Sequence, residues 1–288
     1  MTSELHEPEL ARTRSRVPRL IVSDLDGTFL SPDGTVSPTN SAAVSAAEAA
    51  GVPVVFATGR PVRWLDVIRG LPGAHPTVIA SNGAVLFDLG EARVTDRICI
   101  DPAVALQAVT AIRRAAPGAA FAFESGLRFG YEVTYRLAMS DDGHNPALLR
   151  GTAEELARPG DAVKMLVQHL QMSSDELLER VREAVADTLT VTHSAGPGHG
   201  LVEVSAPGVS KASMLQRICA GLGLEAADVA AFGDMPNDLD MLTWVGMPHV
   251  VANAHPQLLG LGYTEVPGNG ESGVGHTISR WLRGHWGV

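Results

Sequence analysis

Short apolar runs that end on a polar residue recur along this chain, most of them followed by a stretch of helical periodicity. The run "RLIVSD" (19–24) precedes an Ala-rich stretch, 37–51, whose spacing predicts a helix stopped by Gly51. A second run, "VPVVFATGR" (52–60), precedes "PVRWLDVIRGL" (61–71), and a third, "PTVIASNG", occupies 76–83. Near the far end the same alternation returns. "KASMLQRICAGLGL" (211–224) reads as a helix, "DVAAFGD" (228–234) as a strand and "MPNDLDMLTWVG" (235–246) as a helix. "PHVVANA" (248–254) is a further strand and "PQLLGLG" (256–262) a short helix. Continuous apolar strands alternating with helices predict an α/β fold, a parallel sheet with helices on both faces.

The middle of the chain is patterned differently. Strand-like pieces at 93–100, 119–125, 127–133, 162–170 and 189–194 surround helical patterns at 101–116 and 173–187. The second helical pattern opens with a capping-box spacing from Ser173 to Glu176. Strand pieces that follow one another without a helix predict an antiparallel or mixed sheet. We therefore expect a core of 18–88 and 200–288, an inserted α/β domain at 89–199 and a disordered tail at 1–17. The tail has no apolar core for a signal peptide, no run in the chain approaches bilayer length, and a cytoplasmic location is expected.

The polar residues that close the core strands are Asp24, Thr58, Asn82, Asp234 and Asn253. Ligands of open parallel sheets bind outside the carboxyl ends of the strands, so these five positions predict one shared cleft. Any of them alone is ordinary: a DxD pair most often marks a turn, and a lone lysine at a helix start is usually solvated. Together they supply a chemistry. Carboxylates from two strands, Asp24 and Asp234, suit a hard cation, and Mg²⁺ uses few carboxylates and is commonly completed by substrate phosphate. A carboxylate and a phosphate repel by about 4 kcal/mol per unit-charge pair at about 4 Å and a dielectric of about 20, which a bridging cation offsets. Asp24 is then placed to attack phosphorus, and Asp26 to protonate the leaving oxygen and activate water. Lys211, at a helix start, favours an anion there.

A formal net charge of −10 argues against nucleic acid or an anionic membrane as a partner, while leaving a small anionic substrate open. Cys99 and Cys219 lie far apart with no CxxC pair, and both are expected to be buried thiols.

The ordered set "DLDGT", "FATGR", "SNGA", "GVSKASML" and "GDMPNDLDML" resembles the haloacid dehalogenase-like superfamily, in its Cof-type sugar-phosphatase branch with an α/β cap. The resemblance covers nearly the whole chain after the tail. It implies a Rossmannoid core, a mobile cap and a phosphatase of small phosphorylated metabolites. It makes Asp24 the nucleophile and Asp26 the general acid/base. It implies Mg²⁺ held by the Asp24 carboxylate, the Asp26 backbone carbonyl and Asp234, with Asn237 and Asp238 around the metal. Thr58, Gly59, Lys211 and Asn237 are the expected phosphate-binding set, and Arg60 and Asn82 lie near the cleft with roles left open. Ala212 stands where the family often has Gly, a mild change.

Two alternatives stay open on the sequence: a phosphomutase, and a metabolite-binding protein without turnover. Arg128, Tyr131 and Arg136 are candidates to face substrate from the inserted block, or to lie on a surface face. His193, His199 and the "MSDDGHN" stretch read as turn and loop, and Trp281 and Trp286 as core-packing residues of the last helix. Neither the substrate nor an oligomeric state is legible.

Overall fold

A computed structural model of the chain describes residues 17–72, 77–137, 148–192 and 200–286. His193, His199, "MSDDGHN" and the tail up to residue 16 lie outside these residues, as does the side chain of Trp286.

In chain order, β1 (Leu20–Ser23), α1 (Pro38–Ala49), β2 (Val54–Ala57), α2 (Asp66–Arg69) and β3 (Thr77–Ala80) come first. A meander of β4 (Val85–Asp88) and β5 (Arg93–Arg97) follows. Next come α3 (Pro102–Ala115), β6 (Ala120–Glu124), β7 (Phe129–Tyr131), β8 (Leu148–Arg150) and α4 (Ala153–Ala157). After them lie β9 (Lys164–His169), α5 (Ser174–Val185), β10 (Thr190–Thr192) and β11 (Gly200–Ser205). The chain finishes with α6 (Lys211–Leu222), β12 (Val229–Gly233), α7 (Leu239–Trp244), β13 (Met247–Val251), α8 (Pro256–Leu259), β14 (Thr264–Val266) and α9 (Gly273–Trp286).

An 8-stranded sheet runs in the order β14-β13-β12-β1-β2-β3-β4-β5. Its strands from β14 to β3 are parallel, and β4 and β5 are antiparallel additions at one edge. Every residue of β1, β2 and β12 is buried, as strands covered on both faces must be. Among the covering helices, α1 packs on α9 and α6 on α7. Trp281 of α9 is buried against Phe232 and His249, with ring centroids 5.8 and 5.2 Å away. Burial lowers the pKa of the His249 imidazole, so it packs as a neutral ring.

The second sheet is 6-stranded, β10-β11-β9-β6-β7-β8. It is antiparallel except for β7 with β8. One face, carrying Phe121, Phe123, Met165, Val167, Val202 and Val204, packs with residues of α3 and α5 into its own core. The other face looks toward the first sheet's strand ends.

Two strands sit elsewhere than the sequence boundaries place them. β5 belongs to the first sheet, because the short turn at 89–92 lets it pair back on β4 as a hairpin. β11 belongs to the second sheet, where Val202 and Val204 enter its core, so the chain returns to the first sheet after Ser205 rather than before Gly200. Cys219 is buried and Cys99 only half-buried, and both are free thiols. No helix among the described residues is long and apolar enough to cross a membrane.

Candidate active site

Asp24 follows the last residue of β1, Thr58 follows β2, Asp234 follows β12, and Asn82 and Asn253 lie two residues past β3 and β13. The parallel pairing of these strands brings all five to one edge of the sheet. From Asp24 the backbone makes a single wide turn, Leu25–Phe29, anchored by the buried Leu25, Thr28 and Phe29. Gly27 within it has φ +79°, and a Cβ there would stand 2.3 Å from Asp234 Oδ2. Only glycine lets the turn lie this close to that carboxylate.

Lys211 is the first residue of α6, set by the Ser210 N-cap, whose Oγ accepts from Ser213 N at 3.2 Å. Its start is fixed from the other side by the "SNG" turn. Gly83, at φ +100°, approaches so closely that a Cβ would lie 2.1 Å from the Ser210 carbonyl oxygen. The Lys211 side chain is fully buried, and its Nζ donates to Asp24 Oδ1 at 2.5 Å and Asp238 Oδ1 at 2.7 Å. The other Asp238 oxygen accepts from the backbone N–H groups of Asp234 and Met235, at 3.1 and 3.0 Å. Asp238 thus fixes both the lysine and the loop that carries Asp234. Thr28 Oγ1 donates to Asp234 Oδ1 at 2.7 Å.

The charges of this cluster do not balance. Asp24, Asp234 and Asp238 are buried, each offers a carboxylate oxygen within 4.8 Å of the others, and one ammonium faces them. Burial raises the Asp24 pKa well above the usual carboxylate range; Lys211 pulls it back, while Asp238 and Asp234 add to the rise. Burial, reinforced by Asp238, pushes Asp234 up to about 6. Although burial opposes it, Lys211 is held charged above its ordinary range by Asp238 and Asp24. A cluster of hard oxygen donors with surplus negative charge, and a glycine cradle beside it, fits a divalent cation.

Asp26 points elsewhere. Its carboxylate takes a bidentate pair from Arg60, with Nε at 2.7 Å and the second nitrogen at 2.6 Å, and Arg60 also donates to Trp64 O at 3.2 Å. Thr58 is fully buried, its Oγ1 accepting from Arg60 N at 3.0 Å. Asn82 has left-handed backbone (φ 56°), donates from Nδ2 to Glu203 at 2.5 Å, and accepts from Asn237 Nδ2 at 3.1 Å. A cavity of about 940 Å³ opens over this floor, with Asp24, Asp26, Gly59, Arg60, Asp234 and Asn237 in its wall. Thr58, Asn82, Lys211 and Asp238 lie behind that wall.

The inserted sheet supplies the opposite wall through residues that the sequence reading did not single out: Glu124, Phe129, Lys164 and Glu203, with Arg63 from the core. A signal was present. Lys164 and Glu203 are charged residues inside the apolar runs "AVKMLVQHL" and "LVEVS". Of the candidates named in that block, Arg128 pairs with Asp161 and Tyr131 packs with Phe129 and Tyr135. The Arg136 backbone exchanges hydrogen bonds with Gln168, and none of the three lines this cavity.

Solved structures share the whole arrangement of core sheet and inserted sheet. BT1666 of Bacteroides thetaiotaomicron, a phosphatase of the haloalkanoate (HAD) enzyme superfamily, superposes with a TM-score of 0.77 at 21% identity, over 96% of this chain and 99% of its own. The HAD subclass IIB sugar phosphatase BT4131 does so with a TM-score of 0.75 at 20% identity, over 91% and 98%. The fold class is therefore that of these phosphatases. In sequence, the profile of the haloacid dehalogenase-like hydrolases matches residues 21–278, and the chain belongs to that family. The phosphoglycolate phosphatase of Methanothermobacter thermautotrophicus is 28% identical over 265 residues, 92% of this chain and 99% of that protein. The protein is a phosphatase of the Cof-type kind that its motifs resemble.

Proposed function

We propose that this phosphatase hydrolyses phosphate monoesters of small, sugar-phosphate-like metabolites, with Mg²⁺ as its metal and the phosphoryl group carried transiently on Asp24. The observation that carries the reading is the buried contact of Lys211 with Asp24 beside Asp234, at the floor of a cavity sized for a small metabolite. Asp24, Asp234 and the Asp26 backbone carbonyl would hold the ion, with Asp238 behind them. When bound, Mg²⁺ offsets the repulsion between carboxylate and phosphate and orients the ester.

The chain's own groups then divide the work. An Asp24 carboxylate oxygen attacks phosphorus opposite the ester oxygen, and the P–O ester bond breaks as the P–Oδ bond forms. Asp26, protonated on one oxygen and held by Arg60 through the other, gives its proton to the departing oxygen, and the alcohol leaves. The resulting Asp26 carboxylate takes a proton from water, whose oxygen attacks phosphorus, freeing Asp24 and inorganic phosphate. Lys211 counters the burial that would protonate Asp24. Thr58 Oγ1, already accepting from Arg60 N, keeps its own proton for a phosphoryl oxygen.

Phosphate release from p-nitrophenyl phosphate and a panel of phosphorylated metabolites tests this. The reading requires turnover with Mg²⁺ that both chelator and Asp24→Asn abolish. Undiminished turnover by Asp24→Asn would overturn it.

A further inference from the structure

We infer that the inserted sheet acts as a charge filter, admitting uncharged hydroxyl-bearing leaving groups and rejecting a second anionic group, with Lys164 and Glu203 as the residues that set the choice. The inference rests on the phosphatase reading of the same cavity.

Strand register places the filter. Glu124 of β6 lies opposite Lys164 of β9, and Glu203 of β11 lies opposite Leu166, two residues further along the same face of β9. The face toward the cavity thus carries a row of charges, negative, positive, negative, at the end nearest the core. Each cation of that wall is already matched. Lys164 Nζ donates to Glu203 Oε1 at 2.9 Å and to the Gly59 carbonyl oxygen at 2.9 Å. Arg63 pairs with Glu124, and Arg60 on the facing wall pairs with Asp26. The Lys164–Glu203 and Arg63–Glu124 pairs are poorly exposed, Lys164 and Glu203 retaining 3% and 11% of their side-chain surface, whereas Asp26 in the Arg60 pair is open to solvent. Among the described residues, Arg60, Arg63 and Lys164 are the Lys and Arg side chains that line the cavity.

A leaving group bearing a carboxylate or a second phosphate would therefore meet two carboxylates whose partner cations are committed, and could gain Lys164 or Arg63 only by breaking a buried pair. Hydroxyl groups meet the opposite situation. Each Glu203 oxygen accepts one hydrogen bond, from Lys164 or from Asn82, and keeps a further lone pair for an O–H donor, and Leu166 and Leu201 beside it cover a carbon skeleton. A bisphosphate is disfavoured for the same reason, which separates this protein from a phosphomutase that works through one.

The test is kcat/KM of the Mg²⁺-loaded enzyme on matched pairs: glycerol 3-phosphate against phosphoglycolate, and glucose 6-phosphate against 6-phosphogluconate. The neutral member of each pair should win by on the order of tenfold or more. Glu203→Gln, which leaves Lys164 without its carboxylate, should raise the anionic-to-neutral ratio by about tenfold, and Lys164→Met should lower it. Should Glu203→Gln fail to fold by circular dichroism, Glu124→Gln, which removes the negative charge facing Arg63, should raise the ratio in its place. A wild-type preference for the anionic members, or a ratio unmoved in the folded glutamine variant, overturns the filter. Wild-type enzyme that turns over none of these esters, nor p-nitrophenyl phosphate, overturns the phosphatase reading and the filter with it.

Discussion

Lys211 shows how little of this site's energetics can be read from one residue at a time. It is a cation with no solvent exposure at its side chain, shared by two buried carboxylates. Burying such a group is costly, and removing one partner of a buried pair costs more, because the charge left behind has no compensation. Lys211→Met should therefore destabilise the metal-free protein by about 3–5 kcal/mol, measured by urea unfolding in chelator. Arg60 gives a different test. Its fork grips both oxygens of Asp26, a geometry that lysine cannot reproduce. Arg60→Lys should lower kcat by about 10- to 100-fold with KM little changed, as expected for a misplaced acid/base. Asp24, Asp26, Asp234 and Lys211 are legible in the sequence because each interrupts an apolar pattern in a recognisable motif. The Arg60–Asp26 pair is not, since it joins residues 34 positions apart and depends on how two loops turn.

At the scale of elements, the site is held by tight backbone approaches. The "SNG" turn and the start of α6 touch through Gly83, so Gly83→Ala must push α6, and with it Lys211, away from Asp24. Both stability and kcat should fall in that variant, read by thermal melts and phosphate release. Ser210→Ala, which removes only the cap of α6, should cost about 1 kcal/mol in unfolding experiments. The long apolar strands and the helices α1, α3, α5 and α6 are visible in the sequence through their periodicity. Of the four three-residue strands among the described residues, β7 and β10 lie inside longer strand-like runs and show, while β8 and β14 have no such flanks and carry too little pattern. β5 is placed by a hairpin with β4, a strand that the apolar pattern does not mark, and β11 by its pairing with β9, a partner distant in sequence that local pattern does not encode.

On the scale of the whole molecule, two sheets close over one cavity, and the charge balance of that cavity couples pH, metal and stability. With its folded-state pKa raised to about 6, Asp234 holds a proton that the unfolded chain has already released. Its contribution to the stability of the metal-free protein is therefore full below about pH 4 and lost as the pH rises through about 6, a change of about 3 kcal/mol at most. Mg²⁺ competes with those protons, so its stabilising effect should grow between about pH 5 and 7.5, checked by melting temperature with Mg²⁺ and with chelator. A Mg²⁺ effect that is flat over that range would contradict the coupling.

The central claim is that Asp24 carries the phosphoryl group. Enzyme quenched during turnover and treated with borohydride reports this directly, because an acyl phosphate is reduced to the alcohol while a free carboxylate is not. Homoserine should replace Asp24 in the tryptic peptide spanning residues 20–63, only when substrate and Mg²⁺ are both present. Sustained turnover with that peptide unreduced would contradict it.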